Sequence, residues 1–517
     1  MMKILAVTLM ILSGVSAASA ADPASLYAAH CAECHEAGRL GAMGPALLPE
    51  NLGRLSKKNA FDDIANGRPA TQMPGYKDKL SKEEIDALVT LIYTPLTPMP
   101  IWGTKEINAT HVIHTPLDSL PDKPKHNADP LNLFTVVETG DHHVTILDGD
   151  KFEPLWRFKS RYALHGGAKY SPDGRFVYFG SRDGWVSKYD LHSFKPVAEV
   201  RAGLNTRNIA VSSDGKWVMV GNYLPHTLVV LNAADLSLSR VISTADGQGA
   251  TSRVSAVYTA PQRKSFIVAM KDFKEVWELS YDPNAKPIYG GFVHNYREGQ
   301  EEGVAMEKQP FAKRRIKLDD YLDDFFFNLA YTEVIGASRD EKTGSVYNLD
   351  TGKKVADLDL GGMPHLGSGI VWDYNGGPVM ATPHLKGSTV SVIDMTTWKT
   401  IKKIETMGSG FFMRSHENTN YAWTDVFFGP NKGFLHVIDK QTLEIVKNIN
   451  PAPGMTNAHV EFTRSGSHAL VSIWEMDGAI VVYDARTLEE VKRIPMKKPS
   501  GKYNVFNKIT YSSGTSH

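Results

Sequence analysis

The feature that most constrains the fold is a β-rich unit that recurs from about residue 110 onward. Each unit contains a strand rich in β-branched and aromatic residues, a turn such as Ser-Pro-Asp-Gly, and a second strand. About eight units of roughly 40 to 50 residues have the period of propeller blades, so we predict an eight-bladed all-β propeller rather than an array of β-sandwiches. A closed ring of this size leaves a central funnel that suits one large, flat ligand. The units begin near Phe134, Ala168, Ile209, Ala256, Phe326, Gly369, Phe412 and His459.

The N-terminus predicts export. Residues 1–20 contain Lys3, an apolar run over residues 4–12 and an Ala-Ser-Ala end before Ala21, which is typical of a cleavable signal peptide. After residue 20 the sequence contains no run of about 18 apolar residues, so we predict no membrane span. We therefore expect a periplasmic protein.

A haem-attachment motif follows the signal. Cys31, Cys34 and His35 form C-x-x-C-H, in which two thiols attach the porphyrin covalently and the histidine binds iron. Cys31 and Cys34 are the only two cysteines of the chain. Met73 in "TQMPGY" is the expected second iron ligand, and Met43 is the alternative. Thioether ligation raises the haem potential, so haem c is expected to act as an electron relay.

The domain organisation follows from the change in pattern. Residues 21–97 read as a small all-α cytochrome c domain, with Ser81 and Glu84 forming a capping box. Residues 98–110 follow a proline-rich stretch and are the predicted linker. Residues 111–517 form the predicted propeller. The 57 basic and 57 acidic residues balance, so nucleic acid is not an expected partner.

Histidines and cations near predicted turns are the candidate site residues of the propeller. A histidine on an inner loop suits iron ligation or proton transfer, and arginine or lysine suits a ligand rich in carboxylates. Taken singly, each is more often an ordinary polar surface residue. The histidines are His165, His365, His384 and His416, and the cations are Arg182, Arg207, Lys271 and Arg414.

Several segments together resemble the cytochrome cd1 nitrite reductase superfamily, over nearly the whole mature chain. They are "CAECH", "QMPGY", "GGPVMATPHLKGSTVSVID" from Gly376 and "SGKYNVFN" from Ser500. The resemblance implies a propeller that holds haem d1. It matches His165 to the proximal ligand of the haem d1 iron and His365 and His384 to two distal histidines. Arg182 and Arg207 match positions near the haem d1 carboxylates.

Within the superfamily the chain is most similar to the NirN type, the dihydro-haem d1 dehydrogenases. The segment ahead of Cys31 is short, whereas true nitrite reductases usually have a longer one. The resemblance implies a periplasmic oxidoreductase that oxidises a propionate of dihydro-haem d1 to the acrylate of haem d1, with electrons leaving through haem c. The predicted base is His365, His384 or His416, and Arg207 and Arg414 neutralise substrate carboxylates.

Two other functions remain open from the sequence. A cytochrome cd1 nitrite reductase would use the same distal histidines to protonate nitrite, and a carrier would bind haem d1 without chemistry. The expected partners are the tetrapyrrole substrate, an external electron acceptor and, transiently, nitrite reductase or other haem d1 biosynthesis proteins.

Overall fold

The computed structural model describes residues 22–53, 55–68, 71–246, 248–286, 288–293, 303–307, 309–337 and 343–515. Only the backbone is described for His165 and for residues 289–293 and 303–307. The predicted signal peptide, residues 1–20, lies outside this part of the chain.

The N-terminal region is helical, as predicted. Asp22 and Ser81 cap helices with their side chains, and Ser81 and Glu84 form the expected capping box. The last long helix buries Ile85, Leu88, Val89 and Ile92, which lie on one face. The helices of the whole described chain are α1 (Pro23–His30), α2 (Ala32–His35), α3 (Pro49–Leu52), α4 (Lys57–Asn66), α5 (Lys82–Ile92), α6 (Thr104–Ala109) and α7 (Val505–Thr510), with short 3₁₀ turns at Leu117–Ser119, Pro130–Asn132, Pro261–Arg263 and Leu366–Ser368.

The segment expected to be a plain linker contains α6. The Glu106 carboxylate accepts the Gly103 N–H at 2.9 Å, which starts this helix. Just before it, the Trp102 indole N–H donates to the Arg201 carbonyl at 2.9 Å. The segment therefore packs against the propeller, because local capping and an indole contact outweigh the preceding prolines.

Most of the remaining described chain forms eight antiparallel blades, seven with four strands and one with a fifth, short strand at its outer edge, which is the predicted architecture. The first four blades in chain order, written from the inner strand outward, are β35 (Pro499–Asn504), β2 (Leu133–Glu138), β3 (His143–Asp148) and β4 (Pro154–Lys159); β5 (Leu164–Tyr170), β6 (Phe176–Ser181), β7 (Trp185–Asp190) and β8 (Lys195–Arg201), with β1 (Val112–Ile113) outside β8; β9 (Asn205–Val211), β10 (Trp217–Leu224), β11 (Thr227–Asn232) and β12 (Leu238–Ser243); and β13 (Val254–Ala260), β14 (Ser265–Met270), β15 (Glu275–Ser280) and β18 (Lys313–Lys317).

The remaining four blades have the same order. They are β19 (Phe325–Phe327), β20 (Glu333–Ala337), β21 (Gly344–Asn348) and β22 (Lys354–Leu358); β23 (Ile370–Tyr374), β24 (Gly377–Pro383), β25 (Thr389–Asp394) and β26 (Thr400–Glu405); β27 (Met413–Arg414), β28 (Tyr421–Asp425), β29 (Leu435–Asp439) and β30 (Ile445–Ile449); and β31 (Asn457–Phe462), β32 (His468–Ile473), β33 (Gly478–Asp484) and β34 (Glu490–Met496). The hairpin β16 (Ile288–Val293) and β17 (Gly303–Glu307) is inserted before β18.

The ring closes through the last strand. β35 pairs antiparallel with β2, so one blade contains both an early and the final part of the propeller sequence. The helix α7 follows directly and packs near β5. The unit that begins at Phe134 is therefore three strands of a blade whose inner strand comes from the C-terminus.

Irregular pairing recurs near the beginning of the inner strands. Arg207, Ser255, His459 and Ser500 each lie at a point where two strand residues face one partner. Such bulges redirect a side chain. The beginnings of the inner strands lie at one face of the ring, which we call the upper face, and the funnel opens there.

The helical domain sits on this upper face. Leu48 packs with Leu204 and Leu224 of the propeller, and all three are buried. On the other side of the domain, the Gln72 amide donates to the Thr139 carbonyl, and Lys498 Nζ donates to the Thr71 carbonyl at 3.3 Å. Among the described residues, no helix has the length and apolar composition needed to cross a bilayer.

Candidate functional site

The haem c motif lies in a buried part of the helical domain. The Nδ1–H of His35 donates to the Pro45 carbonyl at 2.8 Å, which fixes the tautomer whose Nε2 can bind iron. A Cβ at Gly44 would lie only 2.4 Å from the His35 ring, so only glycine lets this loop lie against it. Burial lowers the pKa of His35 and raises the pKa of Cys31 to about 11. These residues fit a covalently attached haem.

Met73 lies in the same hydrophobic core as Cys31 and Tyr76. Its loop is fixed by the Met73 carbonyl, which accepts the Arg68 N–H at 3.1 Å, and by the Tyr76 hydroxyl, which donates to the His30 carbonyl at 2.8 Å. Met43 is not among the described residues of that core. This packing supports Met73 as the second ligand, which stays a prediction.

Two predicted histidines lie across the funnel from each other. His165 is in β5, where its backbone pairs with Gly180; its side chain is outside the described part of the structure. His365 lies on the loop before β23, four blades further around an eight-bladed ring. A flat ligand in the funnel would therefore have one histidine-bearing blade on each side.

The His365 ring is held in one orientation. Its Nδ1–H donates to the Phe411 carbonyl at 2.6 Å, and the ring packs on Phe411 at 4.3 Å between centroids. The Asp324 carboxylate anchors the same loop by accepting the Gly367 N–H at 3.0 Å and the Tyr258 hydroxyl at 2.8 Å. Burial lowers the pKa of His365, so its ring is neutral near pH 7.

His459 is a site residue that the sequence reasoning did not identify. Its φ of 53° places it at the bulge in β31, and its side chain is 1% exposed. Neither ring nitrogen has a hydrogen-bond partner among the described residues. The ring packs on Phe412 at 4.7 Å and Tyr503 at 5.3 Å. An unusual backbone conformation and two unsatisfied nitrogens are typical of a functional position.

A buried carboxylate fixes both histidines. Asp425 accepts the N–H groups of Phe411, Phe412 and His459 at 2.7, 3.0 and 3.1 Å. The Phe411 carbonyl in turn accepts from His365. Asp425 therefore joins the two walls of the funnel that carry these histidines.

Three of the four predicted cations lie together. Arg182, Arg207 and Lys271 surround Tyr223, whose pKa they lower against the opposing effect of burial. Lys271 Nζ also lies 3.3 Å from an Asp323 carboxylate oxygen. Burial and the neighbouring Arg207 lower the pKa of Arg182 to about 10. Such a cluster would suit a ligand that carries carboxylates, because buried cations in close proximity favour an anionic ligand.

Arg414 lies elsewhere, on the inner strand β27. It is 3% exposed, and its Nε is 3.9 Å from the Glu461 carboxylate. Arg414 is thus next to the fifth of the six residues of β31, near the lower end of that inner strand. The structure therefore places it deeper in the central channel than the other three cations.

The structure does not bring His384 and His416 into the funnel as free groups. His384 Nδ1–H donates to the Gly361 carbonyl, and its Nε2 accepts the Ser391 hydroxyl at 2.9 Å, so both ring nitrogens are used within the blade. His416 follows the end of β27 and packs against Gly466 at the opposite, lower face. The prediction of a base at either position is not supported by this arrangement.

Comparisons with known proteins agree with this architecture. A model of the cytochrome d1 haem domain matches residues 128–508, and a model of the cbb3-type cytochrome c oxidase subunit III matches residues 18–92. A dihydro-haem d1 dehydrogenase of Pseudomonas aeruginosa is 56% identical over 474 residues, which are 92% of this chain and 91% of the relative. The chain belongs to the cytochrome d1 haem domain family.

Other members of the family differ in their sequence identity to this chain. A nitrite reductase of Stutzerimonas stutzeri is 26% identical over 482 residues, 84% of this chain and 81% of that protein. A solved structure described as dihydro-haem d1 dehydrogenase NirN in complex with DHE is 56% identical, covers 94% of this chain and 100% of its own, and has a TM-score of 0.82. The predicted cytochrome c domain followed by an eight-bladed propeller is confirmed.

For this cytochrome d1 family member, the residues missed by sequence reasoning share one property. His459, Asp425, Asp324 and Tyr223 all reach the site through bulges or strand ends. Their sequence neighbourhoods look like ordinary strands, so nothing in the local pattern distinguishes them. A histidine near the start of an inner strand, as in "NAHVEF", was the one available signal.

Proposed function

We propose that this protein is a dihydro-haem d1 dehydrogenase. It converts a propionate of the haem d1 precursor into the acrylate, with loss of two electrons and two protons. The observation that carries the proposal is His459, a buried histidine whose two ring nitrogens have no hydrogen-bond partner among the described residues and whose ring lies between Phe412 and Tyr503 in the central channel. The 56% identity to a dihydro-haem d1 dehydrogenase supports the same reaction.

The funnel residues would hold the substrate by its edge and its iron. Arg182, Arg207 and Lys271 would pair with carboxylates, and the phenol of Tyr223 lies among them. His165 is the proposed ligand of the substrate iron. Fixed carboxylates and a fixed iron orient the saturated side chain, which is necessary because proton transfer requires hydrogen-bond reach.

His459 is the proposed base. Burial and the charges of Lys502, Arg414 and Lys508 lower its pKa well below the ordinary value, so its ring is neutral near pH 7 and presents unprotonated nitrogen to the channel. The His365 ring lies on the same side of the funnel, since both rings pack on Phe412, at 6.0 Å for His365 and 4.7 Å for His459. Its Nδ1–H is bonded to the Phe411 carbonyl, so its Nε2 is the atom that would orient the substrate. The predicted base role of His384 and His416 is replaced by this assignment.

Haem c, held by Cys31, Cys34, His35 and Met73, would supply one-electron transfer to an outside acceptor. The helical domain lies over the funnel mouth, and the loop of Met73 contacts propeller turns through Gln72. Short separation between two redox groups is what an electron relay requires. We also propose a periplasmic location, from the N-terminal signal, and transient contact with the acceptor and with other proteins of haem d1 biosynthesis.

The test is anaerobic incubation of the purified protein with dihydro-haem d1, followed by mass spectrometry of the extracted tetrapyrrole. Loss of two hydrogens together with reduction of haem c is the expected result. No mass change, with nitrite reduction by the loaded protein, would instead make it a nitrite reductase.

The base assignment is tested with His459→Ala. We expect unchanged binding of the substrate and a loss of turnover of about 10²-fold or more, since general-base catalysis contributes this much. His384→Ala is the matched control, because its ring nitrogens are bonded within the blade. Equal losses in both variants would refute the assignment.

A further inference from the structure

The lower half of the central channel contains polar atoms that the proposed reaction does not use. Arg414 Nε, Glu461 Oε2 and Asn507 Oδ1 are buried and have no hydrogen-bond partner among the described residues. They lie close together: the Asn507 amide donates to Glu461 Oε1 at 3.1 Å, and Arg414 Nε is 3.9 Å from Glu461 Oε2. A mixture of buried donors and acceptors is normally satisfied by ordered water.

These atoms begin just below His459. Glu461 is two residues further along the same inner strand, β31, and is 1% exposed. Helix α7 lies against this strand, because the amide of Asn507, the residue before Lys508, donates to Glu461 Oε1 at 3.1 Å. Lys508 Nζ lies 5.6 Å from the centre of the Tyr503 ring, which packs on His459 at 5.3 Å. The base, the carboxylate and the lysine are therefore neighbours within one enclosed space.

A cavity continues this space toward the lower face. It has a volume of about 290 Å³ and is lined by residues from the ends of β5, β9 and β13 and by α7 and the residues after it, among them Lys169, Ser212, Tyr258, Lys508 and Tyr511. Burial and the charge of Arg414 lower the pKa of Lys169 to about 8, and burial lowers the pKa of Lys508 well below its ordinary value. An amine with a pKa of about 8, such as that of Lys169, can accept and release protons near neutral pH.

The upper face is the side on which the substrate and the helical domain would lie. The helical domain covers it through Leu48, packed on Leu204 and Leu224, and the macrocycle itself would fill the funnel. The relay to haem c carries electrons, not protons. Each turnover nevertheless converts –CH₂–CH₂–COO⁻ into –CH=CH–COO⁻, two protons and two electrons, so both protons need a path to solvent.

We propose that Glu461 accepts protons from His459 and that they leave through the lower channel into the cavity beneath α7. His459 takes a carbon-bound proton, passes it through water to the Glu461 carboxylate, and is regenerated for the second proton. Lys508 and Lys169 carry each proton onward to the cavity. This route rests on the proposed dehydrogenase function and adds its proton exit.

Glu461→Gln tests the route, because glutamine can still accept from Asn507 but cannot carry a proton. Haem c-loaded protein is mixed anaerobically with dihydro-haem d1 and an excess of a one-electron oxidant. Product formation is followed by absorbance and proton release by a pH-indicator dye. We expect unchanged substrate binding, turnover and proton release slowed together by about 10²-fold, a larger solvent deuterium isotope effect, and partial rescue by formate.

Glu278→Gln is the matched control, since this buried carboxylate pairs with Arg263 and Arg314 in an outer part of its blade. Its turnover should equal that of the wild type. If Glu461→Gln does not fold, Lys508→Met interrupts the route at a second point and is also expected to slow proton release. If folded Glu461→Gln or Lys508→Met turns over at the wild-type rate, or is slowed without any isotope effect or rescue, the route is refuted. If the wild type itself forms no acrylate, the proposed function fails instead.

Discussion

Asp425→Asn is the substitution whose consequences the structure defines most closely. The amide oxygen of asparagine can keep the N–H groups of Phe411 and Phe412, which both bond to Asp425 Oδ1. The amide nitrogen would then face the His459 N–H, which now bonds to Oδ2. Two donors cannot pair, so a buried N–H loses its partner at a cost of about 1 to 3 kcal/mol.

The charge of Asp425 has the opposite effect, and it depends on pH. Burial raises its pKa from 3.8 to about 6, against the three N–H donors that lower it. Below pH 3.8 the carboxyl is protonated in the folded and unfolded chains alike, and its full stabilising contribution is present. Between pH 3.8 and 6 the Asp425 carboxyl ionises in the unfolded chain but not in the folded one. About 3 kcal/mol of unfolding free energy is therefore lost by the pH at which the carboxyl is charged in both states.

Wild type and Asp425→Asn should therefore differ in a pH-dependent way. At pH 4 the wild type is expected to be more stable by about 1 to 3 kcal/mol. By pH 7.5 this difference in unfolding free energy should have fallen by about 3 kcal/mol. Urea unfolding of both proteins, followed by tryptophan fluorescence at the two pH values, measures it. A difference that does not change with pH would refute the reasoning. Turnover should fall by about 10-fold with KM unchanged, because the position of His459 is loosened.

Two further predictions concern electron transfer and substrate binding. Met73→His should lower the haem c reduction potential, because imidazole replaces a thioether ligand, and potentiometric titration measures this; an unchanged potential would exclude Met73 as the ligand. Arg207→Gln should raise the KM for dihydro-haem d1 about 10-fold or more with little change in stability, because it removes a charged partner for a substrate carboxylate. Steady-state kinetics at two salt concentrations test it, and an unchanged KM would place the carboxylates elsewhere.

Much of the architecture could be predicted because its signals are local. C-x-x-C-H lies within five residues, and the capping box of Ser81 and Glu84 lies within four. The strand period repeats in nearly every blade. The exception, the long interval between Ala256 and Phe326, has its cause in the inserted hairpin β16–β17, which no repeat pattern marks.

The candidate site was predicted only in part. The resemblance to cytochrome cd1 proteins pointed to His165, His365, Arg182 and Arg207. It also pointed to His384, whose ring turns out to be bonded within its own blade. Hydrogen bonds of a side chain depend on contacts between distant segments, and a motif does not encode them.

The sequence by itself determined that this protein has a haem c domain and a ring of β-blades. The tertiary structure alone decided which ring nitrogens of the histidines are bonded: both are bonded in His384, whereas neither nitrogen of His459 has a partner among the described residues. β35 closes the propeller and brings Tyr503 and Lys502 next to His459. Asp425 fixes the bulge that turns the imidazole of His459 inward. The reason is physical: a bulge and the burial of a charge are set by partners far apart in the chain, which meet only when the propeller has closed.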